Sequence, residues 1–296
     1  MKRTVRVGSR ESSLAVAQAE IVISDIRAYD PEIDCELVTM RTTGDRNLNV
    51  GLESIGGKGV FVKELEQALL DQQIDIAVHS YKDMPYEANP DLPIVALSKR
   101  EAPYDALVLP EGISELDNSR PIGSSSQRRA VQVKQLYQDV EVAAVRGNVV
   151  TRLAKLDLGE YSALLLAQAG LVRLGLEDRI SKVFSTSEMV PSGSQGIIAV
   201  QARAEDNCAF LSKFHSSESE VVSLAERNFL KALGSTCTSP VGVYGELDGE
   251  MLDLVGMFVD ALGQVRVEYI RGRAAEALSL GEALAKRLLE GPGATC

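Results

Sequence analysis

A cysteine, an aspartate beside a lysine, and several arginines at glycine and serine turns are the residues of this chain whose types and spacing could do chemistry. Cys237 sits in Leu233-Gly234-Ser235-Thr236-Cys237-Thr238-Ser239-Pro240-Val241-Gly242, between a helical pattern that stops at Gly234 and a proline that cannot continue it. A tight polar loop presents a thiol, whereas a structural cysteine more often packs as a small hydrophobe in an apolar run. The thiol could act as a nucleophile or as a covalent tether, and both roles are open at this point. Lys82 and Asp83 stand side by side in His79-Ser80-Tyr81-Lys82-Asp83-Met84-Pro85, where a short apolar strand ends. His79 and Tyr81 in the same stretch read as packed structural residues, because neutral buried imidazoles are common.

The arginines point to an anion. Arg10 and Ser12 fall at a strand-to-helix turn, which aims backbone N–H groups and a guanidinium at one place. The same pattern is stronger in Gly123-Ser124-Ser125-Ser126-Gln127-Arg128-Arg129, where three serines open a helix and two arginines follow. Arg146-Gly147-Asn148 ends another apolar run, with Arg152 in the helix after it. Between Arg120 and Lys155 seven basic residues stand against two acidic ones, inside a chain of net charge -11. A local positive site in an acidic protein suits a small anion, while the overall charge argues against nucleic-acid binding. Guanidinium forks grip carboxylates in bidentate pairs, so a compound bearing several carboxylates fits better than a nucleotide. No dinucleotide fingerprint or P-loop is present, and Gly56-Gly57-Lys58-Gly59 lacks the P-loop spacing.

The 296 residues suffice for two or three domains with cores of their own. Cys35, Cys208, Cys237 and Cys296 share no metal-ligand spacing, so no metal is expected. The N-terminal residues run straight into a strand pattern and no apolar run approaches membrane-spanning length, so a cytoplasmic protein with no membrane partner is expected. Two histidines, neither in a suitable motif, do not build a Ser-His-Asp triad, and a cysteine hydrolase lacks its histidine partner.

These groups need elements to position them. A strand over residues 4 to 8 leads into a helix with Leu14, Ala17, Ile21 and Ile26 on its apolar face. A strand over 35 to 43 precedes a glycine- and asparagine-rich stretch, 44 to 59, read as a lid loop. A helix over 60 to 72 and a strand over 74 to 78 bring the chain to Lys82 and Asp83, at the strand end where ligands of open α/β sheets sit. Further strands are expected near 94 to 98, 105 to 109, 140 to 145, 162 to 166 and 197 to 202, and Pro191 to Gly196 reads as a hinge or crossover. From Ser217 the texture changes to one long helix with Val221, Leu224, Phe229 and Leu233 inward. Strands at 241 to 247, 251 to 259 and 265 to 271 and a closing helix at 278 to 289 follow. The fold class is therefore α/β, doubly wound, with a C-terminal α+β domain built on a small antiparallel sheet. No internal sequence repeat is visible.

The chain resembles the porphobilinogen deaminase (hydroxymethylbilane synthase) family from about residue 4 to the last helix. The matching stretches are Gly8 to Ser12, Gly56 to Glu64, Asp75 to Pro85, Gly123 to Arg129, Arg146 to Val149, and Ala225-Glu226-Arg227 leading to Cys237. The resemblance implies a transferase of tetrapyrrole and haem biosynthesis, which joins four porphobilinogen molecules head to tail with loss of ammonia and releases hydroxymethylbilane by hydrolysis. It implies a dipyrromethane cofactor held covalently, as a thioether, on Cys237. It implies two periplasmic-binding-protein-like domains, over 1–97 with 196–214 and over 98–195, and a third over 215–296 that carries the cofactor cysteine. By the same resemblance Asp83 is catalytic. Lys82, Asp83, Ser125, Ser126, Arg128, Arg129 and Arg146 hold the cofactor, while Arg10, Ser12, Arg146, Arg152 and Gln195 hold substrate. Lys58 belongs to the lid. Porphobilinogen is the only partner implied, and a monomer is expected. The sequence departs from the family pattern at Ser235-Thr236, where a Gly-Gly or Gly-Ser pair is usual, at Ser192 and at Ser54. The rival reading is a non-catalytic, two-lobed module binding an organic anion, which would need neither Asp83 nor Cys237.

Overall fold

Strand β1 (Arg3–Arg10) alternates so that Val5 and Val7 enter the core, and Ser12 then caps helix α1 (Ser13–Tyr29) by accepting the Ala15 N–H. These elements belong to a computed structural model that describes residues 3–42, 62–87, 89–137, 139–234, 239–260 and 262–290. The chain continues through β2 (Ile33–Met40), α2 (Lys63–Leu70), β3 (Ile76–Ser80), β4 (Ile94–Leu97) and β5 (Asp105–Val108). Next come β6 (Ile122–Gly123), α3 (Gln127–Leu136), β7 (Val142–Ala143), α4 (Val149–Asp157), β8 (Ala163–Ala167), α5 (Gln168–Arg173) and β9 (Lys182–Val183). It then returns as β10 (Ile198–Gln201) and ends with α6 (Ser217–Ala232), β11 (Gly242–Asp248), β12 (Met251–Val259), β13 (Val265–Arg273) and α7 (Ala277–Glu290).

Two five-stranded mixed sheets and one three-stranded antiparallel sheet result, as the α/β reading with a small C-terminal sheet requires. The first sheet has the order β2-β1-β3-β10-β4 and the second the order β7-β6-β8-β5-β9. In each, three parallel strands are followed by a strand running antiparallel to its neighbours on both sides. The two sheets thus share one spatial pattern of strand directions, a structural repeat that the sequence conceals because different apolar residues satisfy the same strand pattern, although the antiparallel strand comes last in chain order in the first sheet (β10) and first in the second (β5). By internal contacts the chain forms two compact units, 1–101 with 197–219 and 102–196 with 220–296. The first holds the first sheet, and the second holds the other two.

The core of the first unit corrects the expected face of α1. Ala15, Gln18, Ala19, Val22, Ile23 and Ile26 are buried, while Ile21 is 41% exposed. Each helical residue turns the face by about 100°, and this helix has apolar side chains on both sides of the true stripe, so packing against β1 and β3 rather than periodicity selects the face. The same slip occurs in α6, where Val222, Ala225, Phe229 and Leu230 are buried and Leu224 is 44% exposed. Glu226, on the buried side of that helix, is fully enclosed.

Candidate active site

In the first unit the candidate residues converge on one edge of the sheet. Strands β1 and β3 run parallel, with Val7 opposite Ile76 and Gly8 opposite Ala77, so their carboxyl ends emerge side by side. Arg10 ends β1 and Ser12 begins α1. Beyond β3 the chain makes a single 3-10 turn, Tyr81–Asp83, pinned by the Tyr81 N–H on the Ile197 carbonyl (3.0 Å) and by the Met84 N–H on the Tyr81 carbonyl (3.1 Å). Met84 is buried and anchors that turn, leaving Lys82 and Asp83 half-buried at its surface. The Gln18 amide of α1 donates to the Ser80 hydroxyl at 2.9 Å and supports the turn from below. Asp83 makes no hydrogen bond or ion pair among the described residues. A carboxylate held on a rigid turn without a fold partner is available to a ligand.

His79 takes the structural role expected of it. It lies in β3 with Ala199 opposite, 6% exposed, and burial pushes its pKa down to about 4, with the Gln201 side chain opposing and Arg10 adding to the fall. The imidazole is therefore neutral at pH 7, and with so low a pKa and so little exposure it is too weak and too enclosed to serve as a general base. Its linkage to stability has a definite sign. Between the unfolded value of 6.5 and the folded value of about 4 the unfolded chain binds the extra proton, so stability falls as pH drops through that window. The loss is roughly 3 kcal/mol when complete. Replacing His79 by Gln should flatten urea-unfolding free energies between pH 6.5 and about 4 relative to the parent; an unchanged slope would count against the neutral buried imidazole.

The second unit repeats the layout. Strands β6 and β7 pair in parallel, and Ser124, Ser125 and Ser126 follow β6 while Arg146 follows β7. Ser126 caps α3 by accepting the Arg129 N–H, and Asn148 caps α4 by accepting the Thr151 N–H. A hydroxyl that caps a helix uses a lone pair and keeps its proton, so Ser126, like Ser12, can still donate to a carboxylate. Ser125 differs, because its proton already goes to the Val145 carbonyl at 2.6 Å. Arg152 donates from Nε to the Gly147 carbonyl at 2.8 Å, and Gly147 itself has φ +113. That conformation, which an L side chain rarely adopts, turns the chain from Arg146 into the α4 N-terminus.

Arg128 and Arg129 are not surface forks. Both are buried against Asp105, the fully enclosed first residue of β5. Arg128 Nη1 donates to Asp105 Oδ2 at 2.6 Å and to the Val190 carbonyl at 2.7 Å. Arg129 donates from Nε to Asp105 Oδ1 at 2.9 Å and from Nη1 to the Leu165 carbonyl at 3.0 Å. Gln195 adds its amide to Asp105 Oδ1 at 3.0 Å and to the Pro103 carbonyl at 2.7 Å. Burial works to raise the Asp105 pKa, but the two guanidinium groups outweigh it and hold the carboxyl well below its usual range.

The segment Pro191 to Gly196, expected as a hinge or crossover, crosses over held by four hydrogen bonds. Val190 N–H donates to Gln132 Oε1 (2.8 Å), Val243 N–H to the Pro191 carbonyl (2.9 Å), Ser194 N–H to Glu226 Oε2 (2.6 Å), and Arg173 Nη2 to the Gly196 carbonyl (2.6 Å). Gly245 N–H donates to the other oxygen of Glu226 at 2.7 Å. Gly193 and Gly242 permit the close packing. A Cβ on the first would lie 2.7 Å from Leu230 Cδ1, and one on the second 2.7 Å from the Val190 carbonyl oxygen. Both glycines thus serve close approach.

Lys58, Cys237, Ser54 and Ser235-Thr236 lie outside the described residues. Asp105, Glu226 and Gln18 carry much of the geometry and were missed by sequence reasoning. Glu226 stands in a quoted family stretch and Asp105 opens an apolar strand, but only three-dimensional partners distinguish them from solvated acids. In each unit, helix N-termini with capping hydroxyls and arginines beside them suit carboxylate groups, of which a dipyrromethane has several.

Two family models account for most of the chain. The porphobilinogen deaminase "dipyromethane cofactor binding domain" matches residues 5–210, and the porphobilinogen deaminase C-terminal domain matches residues 221–290. A porphobilinogen deaminase of Acetivibrio thermocellus is 54% identical over 290 residues, covering 98% of this chain and 99% of that one. Another, of Alkaliphilus oremlandii, is 52% identical over 284 residues, covering 96% of each. Among solved structures, the periplasmic aliphatic sulphonate binding protein SsuA of Escherichia coli is similar at 13% identity and a TM-score of 0.40, over 78% of this chain and 70% of that one. With relatives sharing half their residues along nearly the whole length, and with both family domains present in order, the chain belongs to the porphobilinogen deaminase family.

Proposed function

We propose that the protein is a hydroxymethylbilane synthase. It condenses four porphobilinogen molecules head to tail, with loss of ammonia at each addition, and frees the linear product by hydrolysis. Membership of the family carries this reading, and the structural observation that supports it is the Asp83 carboxylate, which has no hydrogen-bond or ion-pair partner among the described residues on the turn after β3. When bound to Cys237, the dipyrromethane supplies a free pyrrole α-carbon as the point of chain extension.

The chain's own residues have separable tasks. Ser126 offers a hydroxyl proton, Arg146 a guanidinium and Lys82 an ammonium to cofactor carboxylates, with Ser125, Arg128 and Arg129 around them. Arg10, Ser12, Arg146, Arg152 and Gln195 serve the acetate and propionate groups of incoming substrate, Gln195 chiefly by fixing the Asp105 cluster. Loss of ammonia from substrate leaves a cationic carbon. Asp83 stabilises that charge and takes up the proton that C–C bond formation releases. Lys58 and the stretch 44 to 59 exclude water between additions.

No helix of the described residues is long and apolar enough to cross a membrane. A monomer working in the cytoplasm, in the three domains set out from the sequence, completes the proposal. The deciding experiment supplies porphobilinogen to the purified protein and follows ammonia and product. One hydroxymethylbilane for every four substrates consumed is expected. Binding without ammonia release would instead favour the non-catalytic organic-anion module.

A further inference from the structure

Among the described residues, the buried cluster around Asp105 sets two guanidinium groups against one carboxylate, an excess of one positive charge enclosed in the fold. Burying an uncompensated charge is costly, and the cluster does not treat its two arginines alike. Arg129 turns Nε and Nη2 to Asp105 and Nη1 to the Leu165 carbonyl, so each of its nitrogens has an internal acceptor. Arg128 uses Nη1 alone, between Asp105 Oδ2 and the Val190 carbonyl. Its Nε and Nη2 make no hydrogen bond among the described residues, although they form the edge of the fork that matches a carboxylate. Asp105 is itself held by Arg129 and by the Gln195 amide, whose backbone neighbour Ser194 is tied to Glu226.

We propose that Asp105 is a positioning residue for cofactor capture: it grips Nη1 of Arg128 so that the Nε and Nη2 edge is presented, preoriented, to a carboxylate of the dipyrromethane, whose charge completes the cluster. Arg129 and Gln195 act on Asp105 and so belong to the same support. This rests on the reading that Arg128 holds the cofactor. It adds that the orientation of Arg128 is set from β5, by a residue that touches neither cofactor nor substrate.

The test measures cofactor loading rather than turnover. Apo-protein of the parent, Asp105→Asn, Arg128→Gln and the double variant is given porphobilinogen, and intact mass follows the gain of two pyrrole units over time, with circular dichroism recording folding. Asp105→Asn keeps shape and removes the charge that holds Arg128. It is expected to load about tenfold more slowly or worse, since hydrogen bonds to charged groups contribute on that scale. In the Arg128→Gln background the same change should add no loss beyond about twofold, because Asp105 acts through Arg128. A folded Asp105→Asn chain that loads at the parental rate would overturn the proposal, whatever its unfolding midpoint. Should that variant not fold, the double variant, which removes a guanidinium together with the carboxylate, is compared with Arg128→Gln alone. Equal loading supports positioning through Arg128, and a further loss of about tenfold refutes it. A parent that gains no mass contradicts the proposed function instead, so the two failures are distinguishable.

Discussion

Chains carrying Cys237→Ala are expected to stay at their unmodified mass after exposure to porphobilinogen and to release no hydroxymethylbilane above a blank. The parent should gain two pyrrole units on one residue. The sequence leaves two uses for this thiol, nucleophile or tether, and the histidines decide between them on chemical grounds. A thiol nucleophile is usually activated by an imidazole. His79 is buried and neutral with its pKa pushed down to about 4, and His215 accepts the Leu97 N–H on Nδ1 at 3.3 Å, so neither is set up as a base. A tether needs no base once the thioether has formed. The two described cysteines do not compete for the role. Cys35 is buried and Cys208 partly so, and burial pushes both thiols up, away from the reactive thiolate. A two-pyrrole mass gain on Cys237→Ala, or turnover by it, would remove the tether from this account.

The second large effect is expected at Asp83. Asp83→Asn keeps the shape of the side chain and should keep the cofactor, but turnover should fall by about 10²- to 10⁴-fold, the usual range for losing a positioned acid–base group. The carboxylate has no hydrogen-bond or ion-pair partner among the described residues, so the fold does not depend on it, and its unfolding free energy should move by less than about 0.5 kcal/mol. That contrast separates a functional carboxylate from a structural one. Asp105 is the opposite case, enclosed and gripped by three side chains. If Asp83→Asn retained near-parental turnover, stabilisation of the cationic intermediate would have to be assigned to another group.

Much of the architecture was legible in the residues. The alternation in β13, the serine caps of α1 and α3, and the turns after β1, β3 and β7 that carry Ser12, Lys82 and Arg146 appear where local patterns put them. These are short-range effects: a capping hydroxyl reaches three residues along the chain, and strand alternation has a period of two. In α1 and α6 the expected Ile26 and Phe229 are buried, but Ile21 and Leu224 are exposed, because both helices carry apolar residues beside the true stripe and neighbouring strands make the choice. In Pro191 to Gly196 the two glycines serve different ends that only the fold distinguishes: Gly193 allows close packing against Leu230 and Val243, and Gly196 takes a positive φ.

For the site, the sequence alone determined the inventory: a presentable thiol at Cys237, a carboxylate beside Lys82, and arginines at helix starts, with a family resemblance that assigns them to pyrrole chemistry. Tertiary structure alone decided how those groups divide their work. Arg128 and Arg129 are adjacent in sequence and identical in type. Arg129 gives every guanidinium nitrogen an internal acceptor, and Arg128 keeps an edge with no hydrogen bond among the described residues, because Asp105, more than twenty positions away, reaches both. Charge and residue type are properties of the chain, but which hydrogen-bond donors remain for a ligand depends on which acceptors the fold has already brought to them.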